Sequence, residues 1–150
     1  MAASDGDFKI VQDLIKEGVH LENKTVVGET PLDLAIKKRH WKIIEHLLNN
    51  GAKADFKDSN GWTLLMIACY EGFLDVVKLL TEKGADIDVK LSDNLITPLI
   101  FASFKGHYNV CEFLVHSGCD VTFKSGVGTA LDIAENGRYQ NIVELLKSNM

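Results

Sequence analysis

The 150-residue chain contains only two prolines, and it has no run of glycine and serine and no acidic tract. Flexible linkers and disordered tails are rich in such segments, so the sequence predicts one ordered domain. No apolar stretch approaches the ~20 residues that a membrane-spanning helix needs. The start of the chain also lacks the basic and then apolar segments of a secretion signal. We therefore expect a soluble cytoplasmic protein, with the nucleus as the alternative compartment.

Positive charge is scarce as well. Lysine and arginine together number 16 against 21 aspartates and glutamates, which gives a net charge of −5. Nucleic-acid-binding proteins usually carry a basic excess on one face, so we expect neither a nucleic-acid partner nor a membrane partner.

The three cysteines, Cys69, Cys111 and Cys119, are odd in number and stand at small or apolar positions. This usage favours reduced, buried thiols over a disulfide framework.

What the chain does have is a repeat of about 33 residues. A threonine recurs at spacings of 33, 34 and 32 residues, at Thr30, Thr63, Thr97 and Thr129. A glycine keeps the same step, at Gly18, Gly51, Gly84 and Gly118. An alanine follows each threonine by five residues, at Ala35, Ala68, Ala102 and Ala134. Self-similarity at this period is typical of solenoids, in which no unit buries its apolar face alone.

The segment 58–90 shows what one unit contains. Asn60-Gly61 is typical of a turn, and Thr63 suits the N-cap of a helix that follows. Gly72 ends this helix, and a second helix with an apolar stripe runs on to Gly84, which suits a left-handed helix end. Each unit is therefore predicted to be a turn, a helix, a tight link, a second helix and a loop.

Two motifs recur in these units. The first reads Gly28-Glu29-Thr30-Pro31-Leu32-Asp33-Leu34-Ala35, and the second reads Gly72-Phe73-Leu74-Asp75-Val76-Val77-Lys78-Leu79-Leu80 followed by Gly84-Ala85-Asp86. Both resemble the signatures of the ankyrin repeat. The resemblance implies an all-α solenoid of stacked helix-turn-helix units with short β-hairpin-like loops. One difference is that the family's histidine after Thr-Pro-Leu is replaced, by Asp33, Met66, Ile100 and Asp132.

The resemblance, with the spacing of the motifs, implies a single ankyrin-repeat domain over residues 1–150. It comprises a partial N-terminal capping repeat (1–24), full repeats at about 25–57, 58–90 and 91–123, and a C-terminal capping repeat (124–150). In the third full repeat, Leu95 replaces the hairpin glycine and one residue is added, so we expect an irregular hairpin there.

No constellation in the sequence calls for catalysis. The best candidate is a set of possible zinc ligands, His107, Cys111, His116 and Cys119, because mixed histidine and cysteine ligands can hold zinc tetrahedrally. The repeat register gives each of them a separate structural position, so they are not expected to converge on one metal. We expect no catalytic residue, no cofactor and no metal, with a metal-dependent enzyme as a competing hypothesis.

The resemblance implies that inner helices and hairpin tips form a concave face that binds proteins. The register places nine residues on that face: Glu29, Lys37, Lys38, Trp62, Tyr70, Glu71, Ile96, Phe104 and Lys105. Trp62, Tyr70, Ile96 and Phe104 belong to the two middle repeats and are predicted to form one apolar patch, of the kind that marks interaction sites. The alternative is that Tyr70 and Phe104 pack on each other and close the stack.

A basic run at residues 37–42 is predicted to steer an acidic segment toward this patch, together with Lys105. Its alternative role is a solvated helix end. The function predicted is a non-enzymatic, monomeric protein-interaction module whose unknown partner carries an acidic or apolar segment. The competing interpretation is an ankyrin targeting segment of a larger, possibly enzymatic, polypeptide.

Overall fold

The structure, a computed structural model, describes residues 2–54 and 56–150. Within these residues the chain forms ten helices and no strand, which confirms the all-α prediction. Contacts between residues divide the chain into two compact units, Met1–Phe56 and Lys57–Met150. The single domain and the repeat boundaries stay predictions. None of the described helices combines the length and the apolar character that crossing a bilayer would require.

The first unit consists of two helical pairs, α1 (Ala2–Asp5) with α2 (Phe8–Lys16) and α3 (Pro31–Lys37) with α4 (Trp41–Asn49). Helix α1 packs against α3, and α2 packs against α4, so equivalent helices lie beside each other. The buried stripe of α4 fills the core with Ile43, Ile44, Leu47 and Leu48, each at most 2% exposed.

The second unit contains three pairs: α5 (Leu64–Glu71) with α6 (Leu74–Glu82), α7 (Pro98–Lys105) with α8 (Tyr108–His116), and α9 (Ala130–Asn136) with α10 (Gln140–Ser148). The inner helix α7 packs between α5 and α9, and the outer helix α8 packs between α6 and α10. Helix α7 is therefore covered on both sides, and its residues from Pro98 to Ser103 are all buried. The pair α7–α8 can therefore form a site together with residues of both α5–α6 and α9–α10.

The recurring threonines set where the inner helices begin. Each threonine accepts a hydrogen bond from the backbone N–H three residues later, over 3.1–3.4 Å, as at Thr30, Thr63, Thr97 and Thr129. Such side-chain oxygens satisfy an N–H that would otherwise lack a partner in the first turn of the helix. Because the threonine fixes where each inner helix begins, residues at the same distance after it lie on the same side of their own helix.

Two of the residues that replace the family's histidine complete this cap. The Asp33 carboxylate accepts the Thr30 backbone N–H over 2.8 Å, and the Asp132 carboxylate accepts both the backbone N–H and the hydroxyl of Thr129, over 2.8 and 2.9 Å. These bonds form a reciprocal capping box. They also lower the pKa of Asp132, because hydrogen bonds from Thr129 favour the charged carboxylate.

The loops before the inner helices are short and hairpin-like, as predicted. Isolated antiparallel bridges join Lys57 to Thr63 and Ser125 to Gly128. In the third full repeat the loop is longer, and Leu95 adopts the positive φ of 55° that glycine has elsewhere.

Successive pairs also contact each other through rings that lie against glycines. A Cβ added to Gly72 would lie 2.6 Å from the His107 ring, and one added to Gly106 would lie 2.4 Å from the Tyr139 ring. The His107 ring is held in place because its Nε2 donates to the Tyr70 carbonyl over 2.9 Å. In each case the missing side chain makes room for the ring of the next repeat.

We expect Gly106→Ala to destabilise the protein more than Gly118→Ala. Both glycines have a positive φ (73° and 86°), a conformation that costs L-residues about 1–2 kcal/mol. Only at Gly106 would the new methyl also meet a ring, since nothing lies within 4 Å of a Cβ at Gly118. Overpacking costs about 1–3 kcal/mol, so the free energies of unfolding in urea should differ by that amount. An equal loss in both variants would mean that the ring contact contributes nothing.

Candidate protein-binding site

The second unit contains a cavity of about 300 Å³ beside its inner helices. Its lining comes from α5, α7, α9 and the loops that precede them: Trp62, Tyr70, Ile96, Ile100, Phe101, Phe104, Val127 and Ile133. We refer to it as the aromatic cavity.

The threonine caps explain why these side chains meet. Trp62 and Ile96 stand immediately before the capping threonines of α5 and α7, and Tyr70 and Phe104 stand seven residues after them. Seven residues are about two helical turns, so Tyr70 and Phe104 return to the side of the helix on which the capping threonine lies, next to the residue that precedes it. The structure thus brings together the four residues that the sequence predicted to form a patch. Their role in binding stays a prediction.

Three of the rings form a packed cluster. The Trp62 and Phe101 centroids lie 4.2 Å apart with an angle of 31° between the ring planes. The Tyr70 ring meets Trp62 edge-on at 5.6 Å and Phe101 edge-on at 6.1 Å. Tyr70 is therefore held by Trp62 and Phe101, which is the packing role that the alternative interpretation gave it, although with other partners.

Phe104 differs from these rings because its side chain is largely in water. The residue is 59% exposed, whereas Phe101, one helical turn earlier, is 7% exposed. The two edge-on contacts of Tyr70 are of a kind that contributes ~0.5–1.5 kcal/mol beyond burial, so they stabilise the three-ring cluster. The cavity thus combines a packed wall of rings with two apolar side chains that the fold leaves largely exposed, Phe104 and Val127.

Sequence reasoning missed four of the lining residues, Ile100, Phe101, Val127 and Ile133. Phe101 and Ile133 occupy the position four residues after the threonine, where the other two repeats have Leu34 and Ile67. An apolar residue there looks like ordinary core. The signal that was available is the aromatic ring of Phe101 at a position that is aliphatic in the other three repeats.

Two of the predicted residues do not line the cavity. Lys105 is exposed, and its Nζ lies 4.9 Å from the centroid of the Tyr70 ring, a cation–π contact. Glu71 is half-buried at the end of α5. Lys105 is thus the cation that is anchored to a ring of the aromatic cavity.

The three remaining predicted residues, Glu29, Lys37 and Lys38, belong to the first unit. Glu29 lines a separate cavity of about 210 Å³ within that unit, together with Leu14 and Leu34. The Glu29 carboxylate accepts a hydrogen bond from the Lys37 ammonium, and this bond and the charge of Glu29 raise the pKa of Lys37. Lys38 is exposed and makes no ion pair within the described residues. Of the two lysines, Lys38 has the charge that is more available to a partner.

Two of the candidate zinc ligands make other contacts. His107 donates to the Tyr70 carbonyl, and Cys111 lies 3.6 Å from the Ser103 hydroxyl in the core. Within the described residues, no group of three or more histidine, cysteine, aspartate or glutamate side chains is arranged to hold a metal ion.

The cysteine thiols are buried and held in the protonated form. Burial raises the pKa of Cys111 to about 11 and that of Cys119, which also lies near Asp88, to about 12. Burial raises the pKa of Cys69 well above its ordinary value too, and the neighbouring thiols add to this effect. Since the thiolate is the nucleophile, these cysteines are expected to react slowly with electrophiles at neutral pH.

We expect iodoacetamide at pH 8 to modify all three cysteines slowly in the folded protein and rapidly in urea. Because the folded-state pKa values are raised, the cysteines favour folding below their unfolded pKa of about 8.5. That contribution declines as the pH rises from about 8.5 toward 11, because over this range the unfolded state loses its thiol protons before the folded state does. Mass spectrometry of the alkylated protein checks the prediction, with a free-cysteine peptide as the control. Rapid labelling of Cys111 without urea would contradict it.

Comparison with known families identifies this architecture. The model for ankyrin repeats (3 copies) matches residues 1–91 and 34–125. The chain belongs to the ankyrin repeat family. Ankyrin repeats are generally protein–protein interaction modules and are typically non-enzymatic. No curated protein matches the chain at a significant level.

Proposed function

We propose that this ankyrin-repeat protein is a non-enzymatic, monomeric interaction module of the cytoplasm. It binds a partner protein through the inner helices and hairpin loops, with the aromatic cavity as the centre of the contact. The observation that carries the proposal is the exposed Phe104 beside a preformed cavity lined by aromatic and aliphatic side chains.

The energetics favour a partner at this position. Transferring apolar surface out of water is favourable by about 25 cal/mol per Å², and a preformed cavity requires little ordering of its own side chains on binding. Tryptophan and tyrosine are the residues most enriched among binding hot spots, and such hot spots cluster in well-packed pockets. Trp62 and Tyr70 are already packed in this way, while Phe104 still exposes apolar surface that a partner would cover.

We expect Phe104→Ala to reduce capture of the partner from native lysate by at least tenfold. Truncation of a central hot spot costs about 2 kcal/mol or more. The matched control is Ile10→Ala, which removes an apolar side chain that is 49% exposed on α2, outside the aromatic cavity. Quantitative mass spectrometry of the captured proteins is the measurement, and circular dichroism checks that both variants are folded. Equal loss in both variants, or capture that Phe104→Ala leaves unchanged, would reject the site.

We also propose that Lys37 and Lys38 accelerate association with an acidic segment of the partner. Because Glu29 already pairs with Lys37, Lys38→Glu should slow association more than the same charge change, Lys37→Glu, does. Charges at the rim of an interface act mainly on the association rate and lose their effect in salt. Association kinetics with the captured partner, at low and high ionic strength, check this prediction. Rates at low salt that are equal to those of the unmodified protein would exclude electrostatic steering.

A further inference from the structure

We infer that the aromatic cavity recognises a short peptide segment carrying two bulky apolar side chains with a carboxylate beside them, and that Lys105 pairs with this carboxylate. The inference rests on the proposed function and specifies the chemistry of the partner.

The size of the cavity sets the number of side chains. An apolar cavity of about 150 Å³ is large enough to hold benzene. The aromatic cavity, at about 300 Å³, has room for roughly two groups of that size. A single valine or alanine would leave most of it empty, so the occupant is a pair of large side chains such as leucine, methionine or phenylalanine.

The lining determines that these side chains are apolar. Six of its eight side chains are pure hydrocarbon, and the other two, Trp62 and Tyr70, each contribute one polar group. A polar group buried without a hydrogen bond costs about 1–3 kcal/mol in proteins. A polar occupant would lose its hydration without finding enough partners, so the cavity discriminates against it.

Lys105 supplies the charge next to the cavity. Its ammonium lies over the Tyr70 ring and makes no hydrogen bond or ion pair within the described residues. A lysine ammonium has three donors, and the face of a ring leaves them available to an oxygen acceptor. Because the Lys105 ammonium lies 4.9 Å from the centroid of the Tyr70 ring, and that ring lines the cavity, a carboxylate that it binds lies close to the apolar pair.

The experiment selects 12-residue peptides from a random phage-displayed library on the immobilised full chain. The selected peptides are then synthesised and titrated against three variants. Phe104→Ala removes an apolar side chain of the cavity, Lys105→Glu reverses the adjacent charge, and Lys78→Glu makes the same charge change on the outer helix α6. A Trp41→Phe background leaves Trp62 as the only tryptophan, so that fluorescence reports directly on the cavity.

We expect the selected peptides to share two large apolar residues near an aspartate or glutamate and to shift Trp62 emission to shorter wavelength. Phe104→Ala should weaken them at least tenfold. Lys105→Glu should make the versions with lysine in place of the acid bind better than the acidic ones, whereas Lys78→Glu should preserve the acidic preference. The absence of enriched peptides, an unchanged Trp62 emission, or an acidic preference that survives Lys105→Glu would each overturn the inference.

Failure of this inference is distinguishable from failure of the proposed function. If Phe104→Ala abolishes capture from lysate but no peptide is enriched, the module binds a folded surface and the peptide inference is wrong. If peptides bind as expected while no cellular protein depends on Phe104, the recognition chemistry stands and the proposed cellular function is wrong.

Discussion

Within each compact unit, the packing of one helical pair on the next is the constraint on which the rest of the structure depends, because a single ankyrin unit cannot bury its own apolar face. Ring-to-glycine contacts show how close this packing is. His107 occupies the space that a side chain at Gly72 would need, and Tyr139 does the same at Gly106. The backbone of one repeat is thus shaped to receive a ring of the next, which fixes the spacing between adjacent inner helices.

That spacing, together with the threonine caps, explains why a cavity exists in the second unit. Helix α7 is covered by α5 and α9, so Phe101 is buried against Trp62 and Tyr70. One turn later the helix ends, and Phe104 is left largely exposed. The equivalent residue in the last repeat is Asn136, which is exposed and polar. The large rings are therefore contributed by the repeats that contain α5 and α7, whereas the last repeat has a small polar residue at the position of Phe104.

Much of this was predictable from the sequence, because a fixed register carries positional information. The recurring threonines predicted the starts of the inner helices and placed Trp62 and Phe104 in one apolar patch. It could not reveal that Phe101 lines the site, since an apolar residue at that position is also what a core requires. Nor could it show that Asp33 replaces the family's histidine by closing a capping box, because that depends on side-chain geometry. The pairing of Lys37 with Glu29 escaped prediction for the same reason.

Tyr70 connects the stability of the stack with the proposed site. Its carbonyl accepts the hydrogen bond from His107, which holds the ring that lies over Gly72. Its side chain meets Trp62 and Phe101 and lies beneath the Lys105 ammonium. The wall of the aromatic cavity is therefore held by the same contact that joins α5–α6 to α7–α8. A partner that fills the cavity would stabilise this junction, since a ligand that binds only the folded state shifts the folding equilibrium toward it.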